Sequence, residues 1–305
     1  MDEKVLAYLK IIAAMVIVGS SVVAGKILVQ TMPIFIASEL RFLVASLILV
    51  PLLIIKEGIP SLNKKDIIIL FFQSLTGVFL FSVFMLYGLK FTTAMEAGII
   101  TSTLPAMVAL LAFFIIKEKL TSNKIVGVLT AILGIVILNI SGVFNEVIVG
   151  PLEFLGNMLI LGAVMGEALF IILGKSISKK ISPLAISTSV SVIGVFLFFP
   201  MAIYDFTNSH YSFGSFNDWL LIFSFGIFVT VLAFLLMYQG IAVLPATTVG
   251  ILTSVLPLST VILSSFFLKE SFHSYHLIGT CLIFIAIYLT SRVEKSQANK
   301  SVNIS

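Results

Sequence analysis

One stretch of this sequence occurs twice: residues 94–118 read AMEAGIITSTLPAMVALLAFFIIKE, and residues 246–270 read ATTVGILTSVLPLSTVILSSFFLKE. Extended to 88–118 and 240–270, the copies share 12 identities in 31 positions. Each copy is apolar, has a proline near its middle (Pro105 and Pro257) and ends in Lys-Glu. A proline breaks a soluble helix, and a soluble helix also needs a polar face, which neither copy has. More than 20 apolar residues around a proline instead predict a kinked helix that crosses a lipid bilayer.

The composition of the whole chain favours a membrane protein. Of its 305 residues, 59% are hydrophobic and 10% are charged, and the mean hydropathy is +1.20. A soluble domain has about 25% charged residues, so most of this surface must face lipid. The net charge of +4 comes from basic residues in short loops and does not indicate nucleic-acid binding. The single cysteine, Cys281, excludes a disulfide framework.

Apolar segments that are long enough to cross a bilayer occur ten times. We predict spans at 6–29, 34–55, 66–91, 94–116, 123–142, 153–175, 183–204, 217–242, 246–268 and 275–292. They form two five-span units, residues 1–142 and 153–292, and residues 293–305 form a short tail.

The basic residues predict the orientation of these spans. If the N-terminus is cytoplasmic, the cytoplasmic segments contain 14 lysines and arginines, whereas the other side has only Lys26, Lys90 and Lys269. Basic residues favour the cytoplasmic side, so both termini are predicted to be cytoplasmic. Five spans in each unit then require the second unit to be inverted. The predicted fold is therefore an all-α integral membrane protein with ten transmembrane helices in two inverted five-helix repeats, a plan typical of secondary transporters.

Four of the charged residues within the predicted spans stand out: Glu39, Arg41, Glu96 and Glu167. Each costs about 2.5–3.5 kcal/mol at mid-membrane, so such residues are candidates for binding a substrate or a proton. Glu39 and Arg41 are two residues apart, about 200° around a helix, and cannot pair with each other. For Arg41, a structural ion pair is an equal alternative. Glu96 is predicted near the outer end of span 4, and Glu167 nearer the cytoplasmic side of span 6.

Three uncharged polar residues and the two prolines are weaker candidates. Tyr87, Tyr238 and Gln239 lie near the ends of spans 3 and 8 and could contact a substrate, although aromatic residues are common at membrane interfaces. Pro105 and Pro257 each free a backbone carbonyl near mid-membrane. Such carbonyls either line a cavity, which would form a substrate site, or are satisfied by neighbouring hydroxyl groups in a packing kink.

Motifs of other protein classes are absent from the sequence. It contains no phosphate-binding Gly-Lys-Thr loop, nucleophile elbow, zinc-protease pair or haem motif. His273 and His276 have a spacing that can chelate a metal, but only Glu270 is nearby as a third ligand. We therefore expect no enzyme activity, no metal and no cofactor. The alternative class is an integral-membrane enzyme or a structural subunit of a membrane complex, which would require clustered catalytic polar residues or a soluble arm.

The sequence resembles the drug/metabolite transporter superfamily, EamA type, over nearly its whole length. The matching features are Gly19-Ser20, Lys26, Arg41-Phe42, Pro105, Lys117-Glu118, Gly127, Gly134, Lys175, Pro245-Ala246, Pro257, Lys269-Glu270 and Gly279. The resemblance implies export of a small metabolite or amphipathic compound through a central cavity lined by spans 1–4 and 6–9. The sequence departs from the family where Val18 and Glu167 stand in place of a tryptophan that often begins each half.

The expected function is secondary transport across the bacterial inner membrane, with export as the direction and alternating access as the mechanism. The expected substrate is a small metabolite, an amino acid or a lipophilic cation. The expected partners are this substrate and the lipid bilayer, and a coupling proton carried by Glu39 or Glu167 is an additional hypothesis.

Overall fold

A computed structural model describes residues 3–115, 151–178, 180–208, 215–244 and 252–270, together with positions 125–126, 129–130, 133, 249, 277–278, 281–282, 285 and 288. The predicted spans 123–142 and 275–292 lie largely outside these residues. So do the Lys117-Glu118 pair, the two histidines His273 and His276, and the tail.

The continuous described ranges form nine helices, and no described residue lies in a β-strand. They are α1 (Glu3–Thr31), α2 (Ile34–Lys56), α3 (Lys64–Phe91), α4 (Ala94–Thr101), α5 (Leu104–Ile115), α6 (Pro151–Ile177), α7 (Pro183–Asn208), α8 (Phe216–Val243) and α9 (Val255–Leu268). Six of them are long and apolar enough to cross a membrane, and α4 with α5 forms a seventh candidate span. The prediction of an all-helical fold is confirmed for the described residues, whereas the full count of ten spans stays a prediction.

The break between α4 and α5 is a bend of 41°. Helix α4 ends at Thr101, and Pro105 lies in the first turn of α5, where a missing N–H leaves no intrahelical bond unmade. The backbone tightens at the break, because the Ser102 N–H donates to Ile99 O at 3.1 Å. The hydroxyls of Thr101 and Ser102 both donate to Gly98 O, at 2.8 and 3.3 Å. Side-chain hydroxyls therefore satisfy the carbonyl that the bend frees.

Contacts between helix ends show that α2 and α7 run in opposite directions. The Ser182 hydroxyl, just before α7, donates to the Glu57 carboxylate, just after α2. At the other end of the same helix pair, the Phe35 N–H donates to the Asp205 carboxylate at 3.3 Å. We call the end of the bundle where α1 begins the basic face, because it contains Lys4, Lys56, Lys64, Lys65, Lys175 and Lys180. The other end is called the opposite face.

Two lysines hold the C-terminal ends of α3 and α8 in the same way. Lys26 Nζ donates to the carbonyls of Leu89 and Thr92, both at 2.6 Å. Lys175 Nζ makes the same pair of bonds, at 2.6 and 2.9 Å, to the carbonyls that lie 152 residues further along the chain. The lysines satisfy helix-end carbonyls that have no intrahelical donor. The spacing of 152 residues between the two pairs of carbonyls equals that between the two sequence copies. The bonds of Lys26 and those of Lys175 lie at opposite faces of the bundle.

Helices α1 and α9 pack closely at Gly19. A Cβ atom at this position would lie 2.6 Å from the Leu256 carbonyl oxygen and 2.0 Å from Ser259 Oγ. The approach is stabilised by the Thr260 hydroxyl, which donates to Gly19 O at 3.1 Å.

We expect Gly19→Ala to reduce stability by about 1–3 kcal/mol, because the Leu256 backbone cannot move aside for the methyl group. A lowered thermal unfolding midpoint in detergent would show this. Gly25→Ala on the same helix is the matched control, since its methyl group would meet side-chain atoms rather than backbone, the nearest being leucine methyls at 3.2 and 3.3 Å. Equal losses in the two variants would contradict the explanation by close backbone approach.

Candidate functional site

A small cavity lies between α1, α2, α3, α6 and α8. Its volume is about 50 Å³, and we call it the central cavity. Its wall is apolar and aromatic except at four polar or charged positions, Ser21, Arg41, Glu167 and Thr230. A second cavity of about 20 Å³ shares Ser21 and Arg41 with it and continues along α3 toward the opposite face, past Ser82 and Leu89.

Two π-helical segments line the central cavity. One interrupts α3 at Leu75–Leu80 and contributes Gly77 and Val78, and the other interrupts α8 at Phe225–Ala233 and contributes Thr230. A π-helical turn inserts extra backbone into a helix and is frequent at functional sites. These two segments widen α3 and α8 at the level where the helices enclose the cavity.

Arg41 lies on α2 and is 9% exposed. Its Nη2 donates to Ser82 Oγ at 2.5 Å. The guanidinium carbon lies 4.5 Å from the ring centre of Phe42 and 5.8 Å from that of Phe225, within cation–π range. Its Nε is buried and has no hydrogen-bond partner among the described residues. The sequence left a structural ion pair open for Arg41, but no such pair occurs within the described part of the chain.

Glu167 lies on α6 and is 7% exposed. Its Oε2 is buried and has no hydrogen-bond partner in the described structure. A buried carboxylate and a buried guanidinium therefore line one cavity without neutralising each other. Burying a charge without a partner is costly, so this arrangement is expected where a ligand supplies the missing partners.

The other two intramembrane carboxyl groups do not line the central cavity. Glu39 is 7% exposed, and its Oε2 lacks a hydrogen-bond partner among the described residues, but it is not among the residues that line the cavity with Arg41. Glu96 is also buried and accepts a hydrogen bond from the Thr92 hydroxyl, near the end of α3 at the opposite face. The prolines Pro105 and Pro257 are buried and contribute to neither cavity wall.

The remaining candidates lie at three different places. Tyr87 lines an open cavity of about 390 Å³ at the opposite face, together with Lys90 and Asp205. Tyr238 is fully buried toward the basic face and accepts a hydrogen bond from Gln73 Nε2 at 2.8 Å. Gln239 is half-buried on α8.

Sequence reasoning missed Gln73 and Ser82. Both are polar residues inside an apolar span, the same signal that selected Gln239, but α3 contains several such positions and the sequence does not separate them. It also missed the capping role of Glu270, whose carboxylate accepts the N–H groups of Ala94 and Met95 at 3.0 and 2.8 Å at the start of α4. No group of three or more His, Cys, Asp or Glu side chains that could hold a metal occurs in the described part of the chain.

Buried charges around a cavity inside an apolar helical bundle are typical of a membrane transport protein. The model of the EamA-like transporter family matches residues 5–140 and 154–292. The chain belongs to this family, which confirms the resemblance seen in the sequence.

Similar proteins include several named as transporters. An uncharacterized transporter of Bacillus subtilis, YetK, is 46% identical over 285 residues, which cover 93% of this chain and 86% of that protein. The WAT1-related protein At3g02690, chloroplastic, of Arabidopsis thaliana is 26% identical and covers 90% of this chain and 66% of its own length. A solved crystal structure with 16% sequence identity has a TM-score of 0.67 and covers 93% of this chain and 98% of its own, which shows a shared fold.

Proposed function

We propose that this protein is a secondary transporter for a small zwitterion with an apolar side chain, such as an amino acid. The observation that carries the proposal is the pair of opposite charges, Arg41 and Glu167, in the wall of one apolar cavity. The guanidinium of Arg41 would bind the substrate's carboxylate through bidentate hydrogen bonds, and the carboxylate of Glu167 would bind the substrate's ammonium group.

The positive charge of Arg41 disfavours the second substrate class suggested by the sequence, a lipophilic cation. A cation in the central cavity would be attracted by Glu167 but repelled by Arg41 through a medium of low dielectric constant. A zwitterion satisfies both side chains and adds no net charge. Its apolar side chain would contact the aromatic part of the wall, which includes Phe170 and Phe234.

Alternating access is the mechanism that we infer from the size of the cavity. Ligand sites usually have volumes of about 300–1,000 Å³, whereas the central cavity has about 50 Å³. Helices must therefore move apart to admit a substrate. The paired lysine contacts of α3 and α8 and their paired π-helical segments support two structurally related halves, residues 1–142 and 153–292, inserted in opposite orientations.

We infer the direction of insertion from the charged residues. The basic face would lie in the cytoplasm, with both termini, and the protein would reside in the bacterial inner membrane and export its substrate. Proton coupling through Glu39 or Glu167 is a separate hypothesis, because exchange down a gradient needs no titrating group.

Proteoliposomes test the substrate class directly. We expect exchange of radiolabelled leucine to be inhibited by unlabelled apolar amino acids, but not by leucine amide, which lacks the carboxylate, nor by N-acetyl-leucine, which lacks the ammonium group. Inhibition by leucine amide would contradict the proposal. So would inhibition by a lipophilic cation without inhibition by apolar amino acids. An imposed pH gradient, inside acidic, tests coupling: accumulation above equilibrium supports a proton antiport, whereas simple equilibration rejects it.

A further inference from the structure

A hydrogen bond between α3 and α8 lies next to the central cavity, on its side toward the basic face. Gln73 Nε2 donates to Tyr238 Oη at 2.8 Å and to the Phe170 carbonyl of α6 at 3.0 Å. Gln73 and Tyr238 are both fully buried, and Phe170 lines the cavity. Three helices therefore meet at one polar contact directly beyond the cavity wall.

Three buried polar atoms without a hydrogen-bond partner in the described part of the chain occur on α3 and on α7, which packs against both α3 and α8. The Oε1 of Gln73 and the hydroxyls of Ser187 and Ser191 on α7 are buried, and none has a hydrogen-bond partner among the described residues. Ser187 and Ser191 share a helical face with Gly194, since their spacing is four and three residues. Gly194 packs closely against Phe42 and Val78, two residues of the central cavity wall. The serines thus continue one face of α7 from the cavity toward the basic face.

The first turns of α3, which include Gln73, and the end of α8 both pack against α7, the helix that carries the two serines. A buried hydroxyl or amide oxygen without a partner is rare in folded proteins, because each costs free energy comparable to a lost hydrogen bond. The three unpartnered atoms, Gln73 Oε1 and the hydroxyls of Ser187 and Ser191, are explained if they become hydrated in another state of the protein.

The positions equivalent to Gln73 and Tyr238 in the other half carry no polar group. At the spacing of 152 residues they are Phe225 and Leu86, and both line the small cavity that extends toward the opposite face. The hydrogen bond therefore occurs on one side only. On the side toward the basic face a hydrogen bond joins α3 and α8, whereas the corresponding position on the other side lines the smaller cavity.

We propose that the half of the permeation path leading to the basic face runs over Ser187, Ser191 and Gln73, and that the Gln73–Tyr238 hydrogen bond closes it. This inference rests on the proposed transport function, but it does not depend on the class of substrate. The two serines and the Gln73 amide would be hydrated, and would contact the substrate, when this hydrogen bond breaks.

A substitution at Gly174 is expected to break the Gln73–Tyr238 hydrogen bond. A Cβ atom at this position would lie 2.7 Å from Gln73 Nε2 and 3.1 Å from Tyr238 Cε1. Gly174→Ala would therefore displace the flexible Gln73 amide without removing either hydrogen-bonding group. Tyr238→Phe removes only the acceptor hydroxyl. The two variants perturb the same contact by different means.

Cysteine labelling tests the path. The single native cysteine, Cys281, is exposed and would first be replaced by serine. Ser187→Cys, Ser191→Cys and the control Thr188→Cys would then be introduced singly and treated with a membrane-impermeant thiol reagent in vesicles of both orientations. Thr188 is equally buried on α7, but its hydroxyl bonds to the backbone of α7 and to Leu49 O of α2.

We expect reagent added at the basic face to label both serine positions and not Thr188→Cys. Tyr238→Phe and Gly174→Ala should each raise the labelling rate about fivefold, the population shift expected from losing one buried hydrogen bond. Tyr204→Phe, which removes an exposed tyrosine hydroxyl elsewhere, should leave the rate unchanged.

Three results would each overturn the proposal. They are labelling of the serine positions only from the opposite face, equal labelling of Thr188→Cys, and labelling rates that neither Tyr238→Phe nor Gly174→Ala changes. Unfolding midpoints of all variants would show that the labelled protein is folded. Leucine exchange measured in the same preparations separates the two proposals. Exchange without labelling rejects the path alone, whereas labelling without exchange of any zwitterion rejects the substrate class and supports the path.

Discussion

Arg41→Met is expected to reduce exchange of a zwitterionic substrate at least about 30-fold. Truncating one partner of a buried, charge-assisted contact costs about 2–5 kcal/mol, and the lower value corresponds to this factor. Methionine preserves much of the length and apolar surface of arginine but cannot bind a carboxylate. Initial rates over a range of leucine concentrations in proteoliposomes would measure the loss as a decrease in kcat/KM.

The stability of the same variant distinguishes binding from structure. The guanidinium has no ion pair among the described residues, so its replacement by an apolar side chain should leave the unfolding midpoint unchanged or raise it. Ser82→Ala is the matched control, because it removes the one hydrogen-bond acceptor that the structure shows for Arg41 and leaves the charge in place. We expect it to retain most of the activity. A variant Arg41→Met that unfolds at lower temperature and retains activity per folded molecule would assign Arg41 a structural role.

The charged residues show how far sequence reasoning reaches in this protein. The four charged candidates are visible in the sequence, because a charge within an apolar span is rare and helical geometry alone separates Glu39 from Arg41. The Thr92–Glu96 contact joins residues four apart and is a local pattern that the sequence contains. The sharing of one cavity by Arg41 and Glu167 depends on how α2 packs near α6, and no local pattern encodes it.

For the fold, too, local features could be predicted from the sequence, whereas features that depend on helix packing could not. Hydropathy predicted the long helices to within a few residues, because lipid requires about 20 apolar residues in each span. The π-helical segments of α3 and α8 were not predicted, since an inserted residue changes neither hydropathy nor composition. The Gln73–Tyr238 contact was also missed, because a polar residue in a span reveals its partner only after the helices are assembled.

Glu167→Gln is expected to change the selectivity of the transporter rather than only its rate. Glutamine has nearly the same shape but no charge, so the ammonium group of a zwitterion loses its ionic partner while Arg41 still binds the carboxylate. We expect leucine exchange to decrease about tenfold or more, as for the loss of a charge-assisted contact. N-acetyl-leucine, which is excluded from the original site by repulsion and by the missing ammonium group, should become an effective inhibitor.

Glu39→Gln is the matched control for this prediction. Glu39 is as buried as Glu167 and also has an oxygen without a partner in the described structure, but it does not line the central cavity. Its replacement should leave the preference for leucine over N-acetyl-leucine unchanged. If both variants lost leucine exchange equally and neither accepted N-acetyl-leucine, the role of Glu167 as the ammonium-binding group would be rejected. A shift in selectivity confined to Glu167→Gln would instead assign the two ends of the substrate, its carboxylate at Arg41 and its ammonium group at Glu167.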